Sequence, residues 1–267
     1  MFGAARPMSE HASTLVSLHG VSKIFANGVT ALEGLNLEVR RGDFISLLGP
    51  SGCGKSTVLR MIAGLAHPTS GSIAWPGPAQ ADHRNEIGFV FQEHTLMPWA
   101  NVADNVWLPL RLRGVSKRDA KDVIAESLSL VGLQDFAKAY PRELSGGMKM
   151  RVSIARALSM KPTLLLLDEP FAALDEITRF KLNDDLLELQ NALRCTTVFV
   201  THSVYESAYL SNRIAILSPR PGRIVTEIAG EPHDARDNEF RTSLRYSELC
   251  RDISHALMTA MAEEKRQ

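Results

Sequence analysis

The sequence predicts an α/β fold: a doubly wound core that carries a small antiparallel β-subdomain and is interrupted by an inserted helical subdomain. Three observations lead there. The apolar run 43–48 passes through Gly49-Pro50-Ser51-Gly52-Cys53-Gly54-Lys55-Ser56-Thr57 into helical spacing over 55–63, which gives strand, loop and helix in that order. The middle third of the chain is helix-rich between strand-rich flanks, as expected of an insertion between two halves of a sheet domain. A second buried run, 163–167, ends on two carboxylates, Asp168 and Glu169.

Residues 1–13 are small, polar and unpatterned and read as a disordered leader. Strands follow at 15–21, 35–39 and 43–48, separated by turns at Asn27-Gly28 and Arg41-Gly42. The helix 55–63 is closed by Gly64, Pro68-Thr69-Ser70-Gly71 reads as a turn, and 77–85 as a polar loop before the strand 87–91. Helical spacing recurs over 101–113 and 116–131, with Ser116 as the expected N-cap and Gly132 as the stop. It recurs again over 148–160, which carries an Arg151/Arg156 face. Beyond 163–167 come a helix at 176–193, a buried strand at 196–201, a short helix at 204–210, and strands at 214–217 and 224–228 about the turn 218–223. The expected domains are a catalytic unit over 14–230, with the helical part at about 95–160, and a helical packing appendage over 231–267, helical at 240–261.

Gly49 to Thr57 matches the phosphate-binding pattern G-x-x-x-x-G-K-[ST] in full, so the core is expected to be of the P-loop NTPase type. The glycines let successive backbone N–H groups turn inward onto phosphate oxygens at a helix N-terminus. Lys55 is placed to reach the β- and γ-phosphates, and the Ser56 hydroxyl to ligate Mg²⁺. Asp168 and Glu169 stand at a strand's C-terminal end, where open α/β sheets bind ligands and where buried carboxylates are costly unless used. Asp168 would hold the Mg²⁺ and Glu169 would polarise or deprotonate the attacking water. His202 closes the strand 196–201 at the same end and is placed to contact a γ-phosphate oxygen.

Other positions admit two readings from the residues alone. Phe25 could stack on adenine or pack in the core. Gln92 ends a strand and could offer its amide oxygen to a metal or a water. Leu96, Met97, Pro98 and Trp99 are apolar residues in a loop, and either fold back onto the core or form a docking surface. Ser145-Gly146-Gly147 at a helix start is either a second anion site or a capped glycine hinge.

Thirty basic and thirty acidic residues cancel, so no overall field points to nucleic acid or to an acidic membrane surface. The 45% hydrophobic and 22% charged content is that of a globular chain with a substantial core. Cys53, Cys195 and Cys250 are too scattered for a disulfide framework or a zinc site, which suits a reducing cytosol. No run is long enough to span a membrane, and residues 1–10 lack the apolar core of a signal peptide, so the chain is expected to reach a membrane only through a partner.

Taken in order, Phe25, the P-loop, Gln92, Leu144-Ser145-Gly146-Gly147, Leu165-Leu166-Leu167-Asp168-Glu169-Pro170, Ala173-Leu174-Asp175 and His202 closely resemble the nucleotide-binding subunit of ATP-binding-cassette (ABC) transporters over roughly residues 15–230. The resemblance implies an ABC ATPase fold, ATP and Mg²⁺ as ligands, and a homodimer docked head to tail. Each P-loop would then face the partner's Ser145-Gly146-Gly147, with Asp175 at the nucleotide sandwich. It also implies an integral membrane permease subunit, an external solute-binding protein, no nucleic acid, and a peripheral location on the cytoplasmic face of the inner (plasma) membrane. The segments 91–99, 201–207 and 218–224 look most like the importer branch for nitrate, sulfonate, taurine and pyrimidine thiamine precursors. Met148 and Met150 depart from glutamines of the wider family, a change expected to spare ATP binding and to alter the dimer contact. A soluble ABC-superfamily ATPase acting on nucleic acid or ribosomes is the alternative; it usually has two cassettes or a long coiled-coil insertion, and this chain has one cassette and no heptad run. A P-loop kinase, the third reading, would have no reason for the Ser145 motif.

Overall fold

The structure, a computed structural model, describes residues 13–76, 83–193, 195–232, 236 and 239–263. Residues 1–12 of the expected leader and 77–82 of the expected polar loop lie outside the described residues. Two sheets organise the chain. The first is antiparallel and three-stranded, with β1 (Thr14–Ile24) between β2 (Thr30–Arg40) and β4 (Ser70–Ala74). The second has six strands in the order β5 (Ile87–Val90), β6 (Leu164–Asp168), β7 (Thr196–Thr201), β3 (Phe44–Leu48), β8 (Arg213–Leu217) and β9 (Ile224–Ala229). Its first five strands run parallel, and only β9 is antiparallel.

Parallel strands buried on both faces must be apolar throughout, which is why β3, β6 and β7 read as continuous runs rather than alternating ones. Their side chains alternate between two cores. Leu164 and Leu166 of β6 and Val198 and Val200 of β7 join Val58, Leu59 and Ile62 of α1 (Lys55–Ile62) and the inner face of the antiparallel sheet. Leu165, Leu167 and Phe199 face the opposite way, onto α4 (Gly146–Leu158) and α5 (Glu176–Leu193). There Phe199 packs between Phe44 and Phe171, with ring centroids 5.8 and 5.9 Å away. The same core takes Val102 and Val106 of α2 (Val102–Leu112) and Ile124 and Leu128 of α3 (Lys121–Leu130).

Four sequence expectations change. The segment 70–74, expected to begin as a turn, is a strand: Ser-Gly-Ser carries no strand signal, and its order comes from pairing with Ser17 to Ser22 of β1. Ser116 caps a separate turn, accepting from Asp119 N at 3.2 Å, and α3 begins only at Lys121 because Lys121 N bonds back to Arg118 O in a tighter spacing. The C-terminal helix α7 (Leu244–Glu263) starts after a 3₁₀ turn at Phe240–Thr242, where the Ser243 hydroxyl accepts from Tyr246 N. Met150 is fully buried in the helix-side core, so it cannot itself be a dimer contact; Met148 is partly buried against that core.

The helix α7 covers the far end of the parallel sheet. Ile253, Cys250 and Ala260 pack on Ile214 and Ile216 of β8, Leu48 of β3, and Ala208 of α6 (Val204–Leu210). Ile253→Ala removes a side chain with no exposure, a loss of about 2–4 kcal/mol for a large-to-small core change, or a fall in Tm of roughly 5–10 °C for a chain of this size. Met258→Ala, on the 67% exposed face of the same helix, should leave Tm unchanged. Thermal denaturation of the two variants checks both values.

Candidate nucleotide-binding site

The parallel register sets four strand ends side by side, Leu48 pairing with Thr201 and with Ile216, and Asp168 with Val200. From that edge Gly49 to Gly54 curl into α1, with Gly54 as its N-cap at φ 102°, a conformation closed to residues bearing a Cβ except at a steric cost. Lys55 is 4% exposed, and its ammonium curls back over the loop to donate to Gly49 O (2.8 Å) and Pro50 O (3.0 Å). The next residue, Ser56, donates its hydroxyl to Asp168 Oδ1 at 2.7 Å, joining the loop to the carboxylate strand. Burial raises the Asp168 carboxyl above its ordinary range, and the Ser56 bond opposes that shift.

Glu169 follows in the left-handed region at φ 46°, strained for a residue with a side chain, and is held there by its N–H bond to Val200 O (3.0 Å). Its carboxylate lies between two cationic or potentially cationic groups: Lys55 Nζ is 3.7 Å from Oε1 and His202 Nδ1 is 3.4 Å from Oε2. A cavity of about 340 Å³ opens over this cluster, lined by Phe25, Asn27, Val29 and Ala31 on one side and by Gly52, Gly54, Lys55, Ser56, Thr57, Glu169 and Arg220 on the other. Phe25 is 43% exposed at its mouth, with Lys23 Nζ 5.8 Å from the ring centre, so it is not a core ring. Ser51 is exposed on the loop, whereas the Cys53 side chain turns into the sheet-side core, where burial raises its thiol pKa.

Gln92 is exposed two residues beyond Val90, as Glu169 is two beyond Val90's partner Leu167. The chain after it is tied down by side chains: Ser153 donates to His94 O (2.6 Å), Arg156 to Thr95 O (2.8 Å), and Asn105 brackets Met97 through both its backbone N–H and its C=O. Leu96 folds onto the helix-side core while Trp99 stays 77% exposed, so both readings of this apolar loop apply, each to different residues.

Ser145 is the N-cap of α4, its hydroxyl accepting from Met148 N at 3.3 Å, and Ser145 and Gly146 are exposed. None of residues 145–147 lines the P-loop cavity. Asp175 caps α5, accepting from Thr178 N (2.9 Å), and that backbone bond holds its carboxyl below the ordinary range. A single chain therefore brings Phe25, the P-loop, Asp168, Glu169 and His202 together and leaves Ser145-Gly146-Gly147 outside.

Several residues at the site carry no motif signal. Arg220 reaches the P-loop from a turn 168 positions away, and nothing in its local sequence marks that contact. Thr201 donates to Glu206, whose carboxyl burial pushes upward, while Arg179 Nε stands 3.7 Å from Glu206 and its NH2 donates to Leu174 O (3.0 Å). This network fixes the turn bearing His202 and connects it to the residue before Asp175.

Residues 32–172 match the ABC transporter family model, which spans more than half of the chain. The chain belongs to the ABC transporter family. It is 43% identical over 245 residues to an uncharacterized ABC transporter ATP-binding protein of Methanocaldococcus jannaschii, covering 91% of each. It is 46% identical over 212 residues to the aliphatic sulfonates import ATP-binding protein SsuB of Bacillus cereus, covering 78% of this chain and 83% of that protein. A solved dimeric ATP-binding cassette, MJ0796, in a post-hydrolysis state bound to ADP and Pi, superposes with a TM-score of 0.72 at 34% identity, covering 82% of this chain and all of that one. This ABC protein is accordingly an ATPase, the ATP-binding subunit of a transporter.

The close contact between α4 and α5 supplies a test of why residue 147 is glycine. A Cβ there would lie 2.7 Å from Thr178 Cγ2, so Gly147→Ala should destabilise the ABC subunit by about 1–3 kcal/mol. Thr178→Ser removes that methyl and should recover most of the loss in the double variant, as read by denaturant unfolding of all three proteins.

Proposed function

We propose that this chain powers an importer for a small polar nutrient of the nitrate, sulfonate, taurine or pyrimidine-precursor kind, with an organosulfonate favoured. The observation that carries the ATP-dependent part is the meeting of Lys55, Ser56, Asp168, Glu169 and His202 at one sheet end, through contacts of 2.7 Å (Ser56 to Asp168), 3.7 Å (Lys55 to Glu169) and 3.4 Å (His202 to Glu169). Phe25 stacks on adenine at the mouth of the cavity, and the backbone of Gly49, Pro50, Ser51, Gly52, Cys53, Gly54 and Thr57 cradles the phosphates. On nucleotide entry the Lys55 ammonium exchanges its two carbonyl partners for phosphate oxygens.

The oxygen donors Ser56 and Asp168 fit Mg²⁺: they are hard ligands 2.7 Å apart, and a cation would offset the burial that raises the Asp168 carboxyl. Gln92 is the third candidate donor. When bound, the ion supplies charge neutralisation at the transferred phosphoryl group. Glu169 orients the attacking water and accepts its proton, and His202, 3.4 Å away, contacts the γ-phosphate and holds the Glu169 carboxylate in place.

The second half of each site comes from a partner copy. Ser145 and Gly146 are exposed and, with the buried Gly147 behind them, lie outside the chain's own cavity, which supports a head-to-tail homodimer in which Ser145 and Asp175 approach the partner's nucleotide. Trp99, exposed on a braced loop after Gln92, docks an integral membrane permease, and an external solute-binding protein delivers the cargo. Among the described residues no helix is long and apolar enough to cross a membrane, in keeping with a peripheral place on the cytoplasmic face of the inner membrane. The sulfonate preference rests on the likeness to SsuB.

Two experiments test this reading. Lys55→Ala should abolish tight ATP binding and turnover, whereas Glu169→Gln should bind ATP, hydrolyse it at least about a hundredfold more slowly, and run as a dimer on gel filtration with Mg-ATP. Adding Ser145→Arg should return that dimer to monomer; equal loss of ATP affinity in the two single variants, or a dimer indifferent to Ser145, counts against the site. For the cargo, deletion of the gene should impair growth on an aliphatic sulfonate as sole sulfur source, and Trp99→Glu should fail to restore uptake while keeping basal ATPase activity. Normal uptake of sulfonates, nitrate, taurine and thiamine precursor in the deletion strain would overturn the importer assignment.

A further inference from the structure

The turn between β8 and β9 enters the nucleotide cavity through Arg220. Its guanidinium makes a fork on one P-loop atom, Nε and Nη2 donating to Gly52 O at 3.0 and 2.9 Å. Charge-assisted bonds of this kind are stronger than neutral ones. They act where the loop is least constrained, since Gly52 sits at φ 77° between Ser51 and a Cys53 N–H that makes only a long bond, 3.4 Å, to Pro50 O. Lys55 holds the first carbonyls of the loop and Arg220 its apex, but Lys55 is the group drawn to phosphate when nucleotide enters.

The base of the Arg220 side chain is fixed. Gly222 N donates to Ala31 O (2.9 Å), Glu33 N to Gly222 O (3.2 Å), and Arg223 N to the Ser218 hydroxyl (3.0 Å). The turn also presses on the P-loop, for a Cβ on residue 222 would lie 2.0 Å from Cys53 O. The neighbouring Arg223 is neutralised by Glu33, whereas among the described residues no carboxylate pairs with Arg220. Arg220 is therefore a second cation lining the cavity that Lys55 and Glu169 also line, and among the described residues it makes no ion pair.

We propose that Arg220 is a positioning residue of the nucleotide site: it braces the Gly52 carbonyl so that the P-loop keeps its phosphate-binding shape, and so selects nucleoside di- and triphosphates over monophosphates. The inference rests on the ATP-site reading above. It places the β8–β9 turn, which carries no motif for phosphate, in the binding apparatus.

Isothermal titration of the whole chain with Mg-ATP, Mg-ADP and AMP tests it. Arg220→Ala should weaken Mg-ATP and Mg-ADP binding about tenfold and AMP binding less than twofold, with Tm within about 2 °C of the parent. Arg220→Lys keeps the charge but not the fork and should recover less than half of the lost affinity on a logarithmic scale. A loss below threefold for ATP, an equal loss for AMP, or full recovery with lysine overturns the proposal. Lys55→Ala run alongside separates the two readings. Loss of ATP binding there with none in Arg220→Ala defeats this inference alone, and normal ATP binding in Lys55→Ala defeats the ATP site itself.

Discussion

A single hydrogen bond, from the Ser56 hydroxyl to Asp168 Oδ1, ties the two halves of the site together across 112 residues of sequence. It forms because β3 and β6 both flank β7 in a parallel sheet, so that the loop leaving one and the carboxylate ending the other emerge at the same edge. The central strands β3, β6 and β7 are buried on both faces and admit no charge along their length, so the charged groups of this region stand at the strand ends. Asp168 and Glu169 stand at that boundary. One is buried with a raised carboxyl and a hydroxyl partner; the other is bent into the left-handed region and set between Lys55 and His202.

Around that edge the chain builds rigid supports for short functional segments. The Thr201–Glu206–Arg179 contacts fix the turn of His202 and lead to Leu174, next to the capping Asp175. Ser153 and Arg156 of α4 hold His94 and Thr95, so the loop after Gln92 is attached to the same helix whose N-cap is Ser145. Helix α4 therefore carries the Ser145 cap at its start and anchors the loop that leads to the exposed Trp99. Two surfaces far apart in sequence thus share one helix.

The order of phosphate-binding loop, Ser-Gly-Gly helix start, Asp-Glu strand end and terminal histidine was legible in the sequence, because each is a local backbone solution encoded within about ten residues. So were the buried strands 43–48, 163–167 and 196–201, since two-sided burial leaves a continuous apolar run. The strand Ser70–Ala74 was not legible: it is Ser- and Gly-rich, mostly exposed, and exists through its ladder with β1. Met150 shows the same limit in reverse: it lies one turn beyond the exposed Gly146 on nearly the same face of α4, and it is buried because the helix-side core covers the helix at that level, which its local sequence does not tell.

The sequence alone determined which reactive groups this ABC ATPase carries in its motifs, a lysine, a hydroxyl, two carboxylates and an imidazole, because each stands in a short stretch whose local backbone the sequence encodes. Only the tertiary structure decided their distances, the fork of Arg220 on Gly52, and the exclusion of Ser145 from the chain's own cavity. Those depend on strand order and helix packing across more than a hundred residues. Sheet order and packing are set by the joint burial of all the apolar faces, a property no short stretch of sequence carries.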